Sequence, residues 1–242
     1  MNINYHYISD IGDRKENQDA CAILRQEDYI LLALADGMGS YIDSKKAADC
    51  FCEICSDNSQ HTPIDSNNID DSLREYFRSS VDKIPECMQG KGAENTTPYS
   101  TGVLAYIDKT KTVIAHMGDS RAYFIRPDAI GHTQDHSVVQ LLVNQGVISQ
   151  EEASTHPSQS QLLRYLAKQP LEIEITHFPP LDRKSILLLC SDGLWPYMSE
   201  DELCLLLKDK ELDLSLDKII TKVKQRAKGY SDNITIQIVR LS

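Results

Sequence analysis

The stretch Ala20-Cys21-Ala22-Ile23-Leu24-Arg25-Gln26-Glu27-Asp28-Tyr29-Ile30-Leu31-Leu32-Ala33-Leu34-Ala35-Asp36-Gly37 contains two apolar runs of strand length, Ala20–Arg25 and Tyr29–Ala35. Polar Gln26-Glu27-Asp28 joins them, a spacing that predicts a β-hairpin. An aspartate stands at each open end: Asp19 enters the first run and Asp36 leaves the second, followed by Gly37. Further strands are expected at Thr101–Ile107, Thr112–Met117, Arg121–Ile125, Leu171–Phe178, Ile186–Cys190 and Ile234–Val239. In the last, Ile234, Ile236 and Ile238 alternate with Thr235, Gln237 and Val239, the pattern of a sheet with one packed face.

Helices fall between these groups. Ala47–Cys55, Ile69 to about Ile84, and Ser137–Gln145 ending at Gly146 carry helical signals. Ser149-Gln150-Glu151-Glu152 and Ser199-Glu200-Asp201-Glu202 are capping-box patterns that open helices. Leu214–Lys228 is amphipathic and ends at Gly229, and its lysines read as a solvated face rather than a binding patch. The stretches Ser56–Asn68 and Pro85–Tyr99 read as loops. Short hairpin links imply antiparallel pairing, and helices arrive in pairs between strand groups. The expected architecture is therefore one α+β domain, a four-layer α-β-β-α sandwich of two packed, mostly antiparallel sheets flanked by helix pairs.

The 242 residues suffice for one sizeable core. A net charge of −11 argues against a nucleic-acid partner. No apolar run nears membrane-spanning length and the N-terminus lacks a signal-peptide pattern, so a cytoplasmic protein is expected. The seven cysteines are odd in number and sit mostly in apolar segments, as reduced core thiols do. Cys52 and Cys55 form a C-x-x-C, but no second pair follows at zinc-site spacing. No Gly-rich dinucleotide loop, P-loop or Cys-led phosphate loop is present, and Cys190 reads as core.

The aspartates carry the functional signal. Asp19, Asp36, Asp119, Asp192 and Asp232 all stand at strand ends. A single Asp-Gly after a strand is ordinarily a turn. Five carboxylates brought to one edge would repel one another unless a cation sat among them. Oxygen ligands without His or Cys favour Mg²⁺ or Mn²⁺.

Gly12-Asp13-Arg14-Lys15-Glu16-Asn17-Gln18-Asp19, Ala35-Asp36-Gly37-Met38-Gly39, Gly118-Asp119-Ser120-Arg121, Thr133-Gln134-Asp135-His136-Ser137, Ser191-Asp192-Gly193-Leu194-Trp195 and Asp232-Asn233-Ile234-Thr235 resemble, in order, the motifs of the metal-dependent protein phosphatases of the 2C type, bacterial branch. They span nearly the whole chain. The resemblance implies a serine/threonine phosphatase that uses a metal-bridged hydroxide and forms no phosphoenzyme. It implies that Asp36 bridges two ions, that the Gly37 carbonyl ligates one, and that Asp192 and Asp232 hold one. Asp19 would act through water in the outer shell, and Asp119 with Asp192 would form a third-ion site. Arg14 would clamp the substrate phosphate. Phosphoprotein substrates and an opposing serine/threonine kinase are the implied partners, with the chain a monomer comprising one catalytic domain over 1–242.

Two departures stand out. Met38 replaces a histidine that the eukaryotic branch often has after Asp-Gly, and His136 reads better as a structural residue than as its substitute. Ser40-Tyr41-Ile42-Asp43-Ser44-Lys45 replaces the family's usual Gly-Gly-His and Gly-Glu. The segment 137–167 corresponds to a variable flap beside the site, suited to selecting protein substrates. A non-catalytic module that binds metal or phosphoproteins on the same fold is the alternative, opposed by retention of the acidic residues and Arg14. A two-metal phosphodiesterase is opposed by the lack of histidine ligands and by the charge.

Overall fold

The computed structural model describes residues 3–38, 44–56, 64–87, 99–153, 156–166, 170–209 and 211–241. Its strands are β1 (Ile3–Asp10), β2 (Asp19–Arg25), β3 (Tyr29–Asp36), β4 (Gly102–Asp108), β5 (Thr112–Met117), β6 (Arg121–Ile125), β7 (Ile130–His132), β8 (Glu174–Phe178), β9 (Ile186–Cys190) and β10 (Ile234–Leu241). The helices are α1 (Ser44–Ser56), α2 (Ile69–Cys87), α3 (Val138–Asn144), α4 (Gln150–Ala153), α5 (Glu200–Cys204) and α6 (Leu212–Ala227). One sheet runs β1-β10-β9-β6-β7 and the other β2-β3-β4-β5-β8, all pairings among these strands being antiparallel.

The period of two in the strands sorts side chains into layers. In β3, Leu31, Ala33 and Ala35 face a core shared with Phe51 of α1 and Phe77 of α2, whose rings meet edge-on at 5.0 Å. The alternate residues Ile30, Leu32 and Leu34 join Val103, Ile114, Leu187 and Leu189 between the sheets. On the far side, Leu188 and Cys190 of β9 pack with Leu203 of α5 and Leu216, Ile220 and Val223 of α6. Three apolar interfaces make four layers, as expected. Each large side chain buried there contributes about 1.5–3 kcal/mol.

Several boundaries differ from the sequence reading. β1 is an edge strand of mixed exposure that pairs along its whole length with β10, and nothing in its local pattern announces it. The three-residue β7 exists only through its hairpin with β6. β10 is buried on both faces: Ile234, Ile236 and Ile238 face the helices, while Gln237 Nε2 donates to Tyr5 Oη and the Ala22 carbonyl, each at 2.9 Å. α2 runs to Cys87, three residues beyond the expected end near Ile84. Leu171–Ile173 lie outside β8. α6 closes with Lys228 itself in the left-handed cap at φ 52°, ahead of Gly229.

Both capping boxes form, with Ser149 and Glu152 exchanging bonds of 2.8 and 3.2 Å and Ser199 and Glu202 bonds of 3.0 and 3.3 Å. Residues 40–43 of the divergent loop, 57–63 and 88–98 of the two expected loops, and 154–155 and 167 of the flap segment lie outside the described residues. Among those described, no helix is long and apolar enough to cross a membrane.

Candidate active site

The topology brings the strand-end aspartates to one edge. Asp19 and Asp36 are directly paired across β2 and β3. Asp192 follows β9, and Asp232 precedes β10, its neighbour in the other sheet. Asp119 occupies the turn between β5 and β6, where the chain crosses from one sheet to the other. Asp36, Gly37, Asp119, Asp192, Asp232 and Arg14 line one cleft of about 670 Å³. Asp19 lies behind it, 4% exposed, with Oδ2 accepting from Ser191 Oγ at 2.7 Å.

The electrostatics of this group are unfavourable without a cation. Burial, then the carboxylates of Asp19, Asp192 and Asp119, hold Asp36 well above the ordinary carboxyl range. Burial, Asp192 and Asp135 do the same to Asp119. Asp192 is lifted to about 7 by burial and by Asp232 and Asp19, while burial lifts Asp19 to about 6 against its bond from Ser191. Asp19 Oδ1 and Asp192 Oδ1 are buried without a hydrogen-bond partner. Orphaned carboxylate oxygens in a mutually repelling, all-oxygen cluster fit a hard divalent cation of the Mg²⁺ or Mn²⁺ kind.

Asp232 is held differently. Arg14 Nη2 donates to its Oδ2 at 2.6 Å, and the Asn233 amide donates to its Oδ1 at 2.8 Å. The Arg14 side chain remains 55% exposed at the rim of the cleft. Its loop is tied down by Asn233, whose Nδ2 donates to the carbonyls of Ile11 and Glu16 at 2.9 Å and whose Oδ1 accepts from the Gln18 amide at 2.8 Å. Gly12 is required here: its φ is +64°, and a Cβ would stand 2.0 Å from the Asp232 carbonyl oxygen.

Three residues of the site region have no role in the sequence reading. Asn233 is the first, although Asp232-Asn233 was visible as a motif. The second and third support Asp119 from behind: Trp195 Nε1 donates to the Asp119 carbonyl at 2.9 Å, and the Arg121 guanidinium stacks on the Trp195 ring at 3.9 Å. Arg121 is buried and held by Asp135 through bonds of 2.7 and 2.8 Å. These residues lie within the quoted Gly-Asp-Ser-Arg, Thr-Gln-Asp-His and Asp-Gly-Leu-Trp segments, which was the available signal.

His136 takes the structural place expected of it. Its ring stacks on His116 at 4.5 Å, and its Nδ1 accepts from the Gly118 amide at 3.2 Å. His116, His136 and Glu174 bring ligand-type atoms within 4.8 Å of one another. The Gly118 amide occupies Nδ1, and Glu174 Oε2 already lies 3.1 Å from Nε2. Arg164 Nη1 stands 3.1 Å from the same atom, adding positive charge. The trio is a packing and hydrogen-bonding device.

Cys50, Cys52, Cys55 and Cys190 are buried free thiols. Burial raises Cys190 well above the ordinary thiol range, which disqualifies it as a nucleophile. Ser160 and Leu162 of the flap segment line the cleft, and Leu162 bridges to Ser137.

Two stacked antiparallel sheets with a carboxylate-lined cleft at one edge define a protein built to hold divalent cations at a solvent-open site. The family model for protein phosphatase 2C matches residues 9–230. The serine/threonine phosphatase stp of Listeria welshimeri is 32% identical over 232 residues, covering 93% of this chain and 90% of that protein. A crystal structure of a bacterial serine phosphatase superposes with a TM-score of 0.86 at 27% identity, covering 99% of this chain and 98% of that one. Stp1 from Staphylococcus aureus gives a TM-score of 0.85 at 26% identity, covering 99% and 95%. The chain belongs to the protein phosphatase 2C family, and dependence on Mg²⁺ or Mn²⁺ comes with that membership.

Proposed function

We propose that this chain is a protein serine/threonine phosphatase that hydrolyses phosphoserine and phosphothreonine in other proteins. The observation that carries the reading is the convergence of Asp36, Asp119, Asp192 and Asp232 with Arg14 on one cleft. Asp36, the Gly37 carbonyl, Asp192 and Asp232 would hold two ions, Asp119 with Asp192 a third, and Asp19 would orient the outer shell through water. Cations held there supply Lewis acidity and lower the proton affinity of water near neutral pH.

The chain's own residues supply the rest. Arg14, exposed at the rim and paired on one side with Asp232, offers its remaining N–H groups to phosphoryl oxygens and so fixes the phosphate. Buried Asp19 and Ser191 brace the cleft from behind. Ser160 and Leu162 bring the flap, within 137–167, against the place where a substrate peptide enters. Residues 1–242 act as one catalytic domain, a monomer in the cytoplasm working against a serine/threonine kinase on shared targets.

The test is turnover of p-nitrophenyl phosphate and a phosphothreonine peptide with Mn²⁺, with EDTA, and by Asp36→Asn. Metal-dependent turnover of both substrates, abolished by EDTA and by the substitution, is expected. Turnover that persists in EDTA, or none with any divalent ion, refutes the reading. Exchanging 137–167 for a relative's segment should change peptide preference and leave aryl phosphate turnover similar; unchanged preference removes the flap's role.

A further inference from the structure

Thr101 is uncharged, yet it bonds the backbone of Asp36 and the side chain of Ser120, the residue after Asp119. It precedes β4, is 2% exposed and lines the cleft. Its amide donates to the Asp36 carbonyl at 2.8 Å, and its Oγ1 accepts from the Asp36 amide at 3.0 Å. The same Oγ1 lies 2.7 Å from Ser120 Oγ, in the turn that carries Asp119. A hydroxyl has one proton and two lone pairs, so it can serve both neighbours at once. The side-chain methyl completes the contact: at Gly118, φ +106°, a Cβ would stand 2.6 Å from Thr101 Cγ2. The turn therefore rests on Thr101 from one side and on Trp195 from the other.

We propose that Thr101 is a positioning residue that sets the spacing between Asp36 and Asp119, and thereby the affinity of the cleft for the cation nearest Asp119. The proposal rests on the phosphatase reading, in which both carboxylates face metal. Like charges at Asp36 and Asp119 push the segments that carry them apart, and the bridge from the Asp36 amide through Thr101 Oγ1 to Ser120 Oγ resists the separation. Thr101 touches no reacting atom and bonds neither carboxylate; it acts only through the two segments that carry them.

Calorimetric titration of Mn²⁺ into EDTA-stripped protein tests this independently of turnover. Thr101→Val keeps the methyl against Gly118 and removes both hydroxyl bonds, while Thr101→Ser keeps the hydroxyl. Ser120→Ala cuts only the link to the Asp119 turn, and it carries the test if the valine variant does not fold. Loss of such a supporting partner costs about 10–100-fold in metal affinity. One Mn²⁺ site should weaken by that factor in Thr101→Val and Ser120→Ala, with Thr101→Ser near wild type and the remaining sites of Ser120→Ala unchanged. If the valine and alanine variants bind every ion as wild type does, this inference falls and the phosphatase reading stands. Equal weakening of all sites in Ser120→Ala, with a matching loss of thermal stability, also overturns it. If the wild-type protein binds no Mn²⁺, both fall together.

Discussion

Replacing Asp192 by Asn should stabilise the metal-free protein while damaging its response to metal. Asp192 has a buried, unpartnered Oδ1, and burial with the neighbouring Asp232 and Asp19 carboxylates lifts it from 3.8 to about 7. A carboxyl raised in this way binds its proton more tightly folded than unfolded. The cost of ionising it is absent below about pH 3.8, grows as pH rises, and is complete above about 7. At ~1.36 kcal/mol per pH unit, the cost is about 4 kcal/mol at pH 7.5 and about 2 kcal/mol at pH 5. Asparagine carries no charge and escapes it. Asp36 and Asp119, which the Asp192 charge also pushes up, are relieved by the same substitution and act in the same direction, whereas His116 and His136, both lowered chiefly by burial, titrate alike in the two proteins. For a chain of this size, ~2–4 °C accompanies each kcal/mol, so the variant should melt roughly 8–16 °C higher at pH 7.5 in EDTA, with about half that gain at pH 5. Saturating Mn²⁺ should reverse the order, because ligand binding stabilises only the protein that holds the ion. Thermal unfolding at the two pH values, with EDTA and with Mn²⁺, provides the measurement. A variant less stable than wild type in EDTA, or a gain independent of pH, would refute the electrostatic argument.

Other expectations follow from single contacts. Arg14→Ala should lower kcat/KM for a phosphopeptide by roughly 10²-fold, as loss of one fixed charge-stabilising donor does, and Arg14→Lys should recover only part; steady-state kinetics reads both. Asp135→Asn strands the buried Arg121 guanidinium and should cost about 3–5 kcal/mol in urea unfolding, whereas the Arg121→Met/Asp135→Leu pair should cost less. Cys50, Cys52, Cys55 and Cys190 should resist a thiol reagent in the native protein and react on denaturation; rapid native labelling of Cys52 or Cys55 would revive a redox role for the C-x-x-C.

Where sequence and structure agree, the signal is local. The hairpin around Gln26-Glu27-Asp28, the two capping boxes and β5, β6 and β9 depend on short strand-length runs bounded by turn residues and on side chains that bond within a few residues, signals that are local. The acidic site was legible for the same reason: Asp-Gly and Asp-Asn punctuate strand ends, and strand ends are local. β1 and β7 were not, because an edge strand draws its hydrogen bonds from a partner more than two hundred residues away, or from a hairpin too short to show a period.

The chain by itself determined which residues could hold a cation, since donor chemistry and strand-end position are written one residue at a time. Only the tertiary structure decided that Asp19 stands behind the cleft rather than in it, that Arg14 leans on Asp232, and that Thr101, Trp195 and Arg121 hold the Asp119 turn in place. Those assignments depend on which strands become neighbours when two sheets stack. Sheet order and hydrogen bonds between distant segments follow from burying three apolar interfaces at once, a property of the whole chain that no short stretch contains.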